Sequence, residues 1–266
     1  MTLGTPDSEA QMYARDPRGL RAQVERRVKN MTQKGQILTV VTGSRLHGLN
    51  TPESDYDYSG VFINDLSDIV NPFEKPEDTR WIEGETKDDT SYELRKFVKE
   101  TVNGNPNFIE ILFSNQVTFS TPIGDRMRAN ADRFIDSQRI FEAFKGYSNN
   151  QLNKMELFTP DARTPKFAVA YMRSLFNGIE LLRDGTITNP IPVEFSIGEG
   201  SDTLLARQIL QRVKFTPFAQ FDSVRDLCTS VFAQLQVELA RVFYATPPRK
   251  ADKAWLTTFV REAYGA

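Results

Sequence analysis

The segment Gln36–Thr42, QILTVVT, constrains the fold of this chain more than any other. It is a short apolar run rich in β-branched residues and ended by Gly43, a pattern that reads as a buried central strand. The sequence continues GSRLHGLNTPESDYDYSGVFIN, where glycine, proline, serine and asparagine cluster before a second apolar stretch. That order predicts a strand, a turn, a loop and a return into the same sheet near Asp55. Side chains alternate along an extended chain, so Asp55 and Asp57 fall on one face of the returning strand.

The flanking segments supply further elements. Asp16 and Pro17 carry a helix-start signature, and Leu20, Val24, Val28 and Met31 then recur at helical spacing until Gly35 stops the run. The stretch from Asn64 to Thr86 has prolines and scattered charges without period and reads as loop with short irregular elements. A short strand is expected near Asp88 to Tyr92, followed by a helix through Val102 with Leu94, Phe97, Val98 and Thr101 on one side. Phe108 to Phe113 fits either helix or strand, and Val117 to Phe119 reads as a strand. From about Ile135 the pattern changes to long amphipathic helices at Ile140 to Phe158, Lys166 to Leu182, Leu204 to Val213 and Val224 to Tyr244, with a short last helix at Trp255 to Ala263. The expectation is an α+β chain with a sheet-bearing domain over residues 1–134 and a mainly helical domain over 135–266.

Composition removes several function classes. Apolar residues are 39% and charged residues 26% of the 266, near the averages for folded soluble proteins. A formal net charge of −2 argues against a protein that coats nucleic acid by bulk electrostatics, though a local basic groove remains compatible with it. No basic and apolar leader opens the chain and no run is apolar enough to span a bilayer, so a cytoplasmic protein with no membrane partner is expected. The single cysteine, Cys228, sits in an apolar helical setting and reads as a buried small hydrophobe.

The chemistry concentrates between residues 43 and 89. Gly43 permits close approach of the backbone to a phosphate, and the Ser44 hydroxyl with neighbouring N–H groups can donate to phosphate oxygens. Arg45 adds a permanent cation beside that position. Asp55 and Asp57 are hard oxygen ligands suited to magnesium. Two-metal phosphoryl transfer holds its ions about 4 Å apart and needs a further carboxylate. Asp88 and Asp89 offer it; alternation admits only one, and Asp88 shares a face with Tyr92. His47, the sole histidine, reads as a packing or nucleotide-contacting residue more than as an acid or base.

These residues carry a resemblance. GSRLHGLNTPESDYDYSGVFI resembles the active-site signature of the DNA polymerase beta superfamily of nucleotidyltransferases. YELRKFVKETVNGNPNFIEILFS and FKGYSNNQLNKM are similar to the family within it that includes RNA-ligase-associated members of bacteria and phages, and the resemblance covers roughly Gln36 to Leu182. It implies a polymerase-beta-type core of small mixed sheet and helices, and metal-dependent transfer of a nucleoside monophosphate from a nucleoside triphosphate with release of pyrophosphate. By motif match Gly43 and Ser44 contact the triphosphate, Asp55 and Asp57 bind magnesium or manganese, and Asp88 or Asp89 supplies the third ligand or base. The acceptor it implies is RNA or tRNA, a protein or a small molecule.

One segment departs from the family pattern. Where members often show a lysine and two histidines before an arginine, this chain reads KFAVAYMR, keeping Lys166 and Arg173 but neither histidine. The two cations lie about two helical turns apart, either as phosphate or acceptor ligands on one face or as ordinary surface charges. Two alternatives to the transferase stand beside it: a toxin- or antitoxin-type modifier of a partner, and a catalytically silent nucleotide-binding regulator.

Overall fold

The computed structural model describes residues 34–81, 89–157, 163–198 and 202–265. The expected helix from Asp16 to Met31, Asp88, and the end of the helix expected to close at Phe158 lie outside the described residues. Within them the chain is a mixed α+β fold whose five-stranded sheet has the order β3-β4-β2-β1-β5. The strands are β1 (Gln36–Thr42), β2 (Asp57–Phe62), β3 (Thr79–Trp81), β4 (Thr90–Glu93) and β5 (Val117–Ser120). β1 runs antiparallel to both β2 and β5, β2 is parallel to β4, and β3 closes the far edge antiparallel to β4.

β1 is an interior strand between β2 and β5 and is almost wholly buried, as expected of a mostly apolar run rich in β-branched residues. At its end a single helical turn, α1 (Gly43–Leu46), reverses the chain, and the loop after it returns to β2. The strand begins at Asp57, two residues later than the expected re-entry. The carbonyls of Ser54 and Asp55 accept from Arg45 Nε at 3.2 and 3.3 Å, which leaves them outside the strand ladder.

A short helix α2 (Leu66–Val70) lies in the segment expected to be irregular. After β4 come α3 (Leu94–Val102) and α4 (Pro106–Phe113). The Glu93 side chain caps α3 by accepting from the amides of Arg95 and Lys96. Asn105 caps α4 with Pro106 at its first turn, and that start resolves the Phe108–Phe113 run as helix rather than strand. This helix is apolar on nearly every side because it lies between the sheet and the helical half. α5 (Pro122–Ala129) starts with Thr121 as its cap and ends ahead of a 3-10 turn at Ala131–Phe134.

The helical half contains α6 (Ser137–Leu157), α7 (Thr164–Asp184), α8 (Ala206–Phe215) and α9 (Asp222–Ala245). Gly185, at φ +75°, ends α7, and Arg249 donates to the last carbonyls of that helix at Leu181, Leu182 and Arg183. β6 (Phe195–Ser196) pairs with β7 (Thr203–Leu204), so α8 starts at Ala206 rather than at the expected Leu204. The core of this half includes Phe144, Tyr171, Phe176, Leu210 and Leu235, and takes in Leu49 and Ile109 from the sheet-bearing half. The final helix α10 (Lys253–Ala263) crosses back the other way. Its Leu256 and Phe259 join Leu38, Phe97 and Phe134 in the core against the sheet. Each half therefore borrows residues from the other. Cys228 is fully buried on α9, and burial pushes its thiol up to about 11, as expected for a small hydrophobe. Among the described residues no helix is long and apolar enough to cross a membrane.

Candidate active site

The site forms where β1 ends and β2 begins. Thr42 and Asp57 are register partners on the two strands, so the next residue, Gly43, meets the Asp57 side chain directly. Gly43 has φ +67°, and a Cβ added there would lie 2.1 Å from Asp57 Oδ2. The carboxylate occupies the space that a Cβ would fill, so a larger residue at 43 would have to displace the Asp57 side chain as well as adopt a left-handed backbone. Ser44 follows, and its hydroxyl has no hydrogen-bond partner among the described residues.

Asp55 is exposed in the loop before β2, whereas Asp57 is half-buried. The rings of Tyr56 and Tyr58 stack with centroids 6.2 Å apart and planes 13° from parallel. Asp57 opens β2, while Asp55 and Tyr56 precede the strand, so the alternation expected to pair Asp55 with Asp57 does not reach Asp55. Arg45 shapes this loop. Its Nη2 donates to Ser54 O at 2.6 Å and Pro52 O at 3.5 Å, and its guanidinium lies 3.8 Å from the centroid of the Tyr56 ring. Arg45 thus positions the backbone that carries Asp55, a role that the sequence reading had not given it.

Asp89 is buried, and its Oδ1 accepts from the Tyr58 amide at 2.7 Å. Its carboxylate joins the parallel edge between β2 and β4 immediately before Thr90 pairs with Ser59. Among the described residues no three histidine, cysteine, aspartate or glutamate side chains gather to hold a metal ion. The Asp57 carboxylate, set against the side-chain-free turn, is a hard oxygen donor of the kind a divalent cation takes.

The two cations singled out on α7 separate. Lys166 is exposed at the start of the helix. Arg173 is turned inward, where its Nη1 hydrogen-bonds both to the Glu110 carboxylate and to His47 Nε2. His47 and Glu110 are themselves buried, with His47 Nε2 3.4 Å from Glu110 Oε2. Burial, and after it the Arg173 cation, push the His47 imidazole below its ordinary value. Burial would raise the Glu110 carboxyl, but Arg173 and His47 outweigh it and hold it at about 2. The pair is therefore Glu110 carboxylate with Arg173 guanidinium, and a neutral His47 that accepts from Arg173 through Nε2.

Lys214 is a residue that sequence reasoning missed. From α8 its ammonium donates to the Leu49 carbonyl just beyond the turn, and Gln211 on the same helix donates to Gly48 O at 3.4 Å. Burial, followed by the Lys166 cation, lowers the Lys214 amine, while Asp57 pulls it the other way. Nothing near position 214 in the chain signals this, because its neighbours in space lie far away in sequence. Glu110 did carry a signal: a lone carboxylate inside the apolar run PNFIEILF.

A family model described as the RNA repair pathway DNA polymerase beta family matches residues 20–244. An uncharacterized protein of Methanocaldococcus jannaschii is 28% identical over 155 residues, which is 56% of this chain and 61% of the relative, so the match spans less than two thirds of that relative's length. Among solved structures, spectinomycin adenyltransferase AAD(9) from Enterococcus faecialis with ATP and spectinomycin is similar over 84% of this chain and 98% of its own, at 11% identity and a TM-score of 0.37. That last likeness is too slight to define a site.

Proposed function

This chain belongs to the RNA repair pathway DNA polymerase beta family, and on that premise we propose that it transfers a nucleoside monophosphate from a nucleoside triphosphate to an RNA end. The observation that carries the reading is the Asp57 carboxylate set against the backbone of the Gly43–Ser44 turn. A metal-binding oxygen and a phosphate-accepting turn then share one small volume, which is what a triphosphate chelating a divalent cation needs.

In the proposed reaction an acceptor hydroxyl oxygen bonds to the α-phosphorus. The bond from that phosphorus to the bridging oxygen breaks, and pyrophosphate leaves with the bonding electrons. The hydroxyl proton passes to a carboxylate or to solvent. Gly43 and Ser44 receive the triphosphate, and Asp55 and Asp57 hold magnesium or manganese, which supplies neutralisation of the phosphate charge. The third carboxylate is assigned to Asp88. Asp89, the alternative, is buried and accepts from the Tyr58 amide, which leaves Asp88, outside the described residues, as the carboxylate that sequence alternation offers. Lys166 and Lys214 offer positive charge toward the tail of the triphosphate. The family's description, RNA repair pathway, supports RNA over protein or small-molecule acceptors.

The test is label transfer and pyrophosphate release from each ribonucleoside triphosphate, with magnesium or manganese and with RNA, tRNA or total protein offered as acceptor. Asp57→Asn is run beside the wild type. Aspartate-dependent labelling of RNA supports the reading. Labelling confined to protein overturns the acceptor, and nucleotide binding without any transfer favours a silent regulator.

A further inference from the structure

We propose that Arg173, Glu110 and His47 form a buried brace that sets the position of the nucleotide turn, making the helical half of the chain a partner in nucleotide binding. It rests on the transferase reading above and assigns that site three positioning residues. His47 directly follows α1 and is its C-terminal cap. The amide of Leu49 returns to Ser44 O at 2.9 Å and that of Gly48 to Arg45 O at 3.4 Å, so a shift of the His47 ring moves the turn carrying Gly43 and Ser44. Glu110 reaches the ring from α4 and Arg173 from α7, 63 and 126 residues distant from their partners in the chain. One side-chain cluster therefore joins three elements at the base of the site.

Fold stability does not call for this arrangement. Two buried charges lose their hydration, and well-packed apolar residues of similar volume often serve as well or better. What an apolar plug lacks is direction: the guanidinium fixes the orientation of both the carboxylate and the imidazole through hydrogen bonds from a single Nη1. Fixed orientation matters where a turn must meet phosphate oxygens, since small misplacements there cost binding and rate. The His47 ring is held from several sides, by Arg173 and Glu110 at Nε2 and by the neighbouring Asn189 side chain, and of these only Arg173 is a permanent cation.

The experiment separates positioning from packing. The double variant Arg173→Met with Glu110→Leu removes the brace while keeping the volume apolar. It is expected to melt within a few degrees of the wild type, yet to bind each ribonucleoside triphosphate with magnesium about tenfold or more weakly. Amide hydrogen exchange over Ser44–Leu49 is expected to accelerate. Wild-type affinity together with wild-type exchange in that segment overturns the proposal. Should the double variant not fold, Arg173→Lys decides the matter: it keeps a cation for Glu110 but loses the planar guanidinium. Weaker nucleotide binding at an unchanged melting temperature supports the brace, and wild-type affinity overturns it. If the wild type and Asp57→Asn alike bind no nucleotide, the transferase reading has failed, and the exchange of the Ser44–Leu49 amides alone judges the brace.

Discussion

Asp57 Oδ2 lies 2.1 Å from where a Cβ on Gly43 would stand. No side chain fits there without displacing the carboxylate, and the backbone at φ +67° independently disfavours one. Gly43→Ala is therefore expected to cost about 1–2 kcal/mol of stability from the left-handed conformation, and to lower activity on the order of a hundredfold through misplacement of Asp57. Paired denaturation and label-transfer assays check it. An alanine variant with wild-type turnover would show that the carboxylate is not placed by this turn.

Asp55→Asn and Asp57→Asn remove metal-binding charge while preserving shape. Stability is expected to stay the same or rise slightly, because two neighbouring carboxylates repel. Activity is expected to fall on the order of a thousandfold, about 4 kcal/mol of transition-state stabilisation. Turnover with magnesium, followed beside a thermal melt, separates the two effects.

Lys214 donates to the Leu49 carbonyl and lies within reach of both the Lys166 cation and the Asp57 carboxylate. Lys214→Ala is expected to raise KM for the triphosphate about tenfold, the scale of one charge-assisted contact, with kcat less affected. An unchanged KM removes Lys214 from the site.

The Glu110–His47 pair makes stability fall in acid. Glu110 is held at about 2 in the folded protein against an ordinary 4.5, so its contribution is complete above about pH 4.5 and is lost as the pH falls toward 2. His47 is also lowered from 6.5; the unfolded chain takes up that proton first, so stability declines as the pH drops below about 6.5. Both effects have the same sign. Melting temperatures between pH 3 and 7 should fall with acid in the wild type. They should fall less below pH 4.5 in the Arg173→Met, Glu110→Leu variant.

Phe259 is buried against the sheet although it comes from the last helix. Phe259→Ala is expected to cost about 3–5 kcal/mol, and a fragment of residues 1–134, which lacks this helix, to melt well below the full chain. Denaturant titration of the variant and the fragment tests both. A fragment as stable as the full chain would make the sheet-bearing half independent of α10.

The legible part of this protein was local. β1 could be read from its β-branched run, the turn from Gly-Ser, and α6 to α9 from their apolar spacing, because strand alternation and helical period leave their mark in a few consecutive residues. Asp57 was expected on the strand that returns beside β1, and it opens β2 there, whereas Asp55 stays in the loop before it. The Phe108–Phe113 run was not settled by its apolar pattern, since a helix covered on both sides loses its polar face. Arg45 was expected beside the triphosphate, and the structure adds a role the pattern did not signal: its donors reach loop carbonyls ten or fewer residues away, a contact set by loop shape.

The sequence by itself determined the strand and the side-chain-free turn that follows it, because each depends on neighbours along the chain. The tertiary structure decided that Arg173 meets Glu110 and His47, that Lys214 lies over Leu49, that Asp89 is bound to the Tyr58 amide, and that α10 completes the core against the sheet. Those outcomes depend on which distant surfaces exclude water together, and burial between segments more than a hundred residues apart leaves no periodic trace in either one.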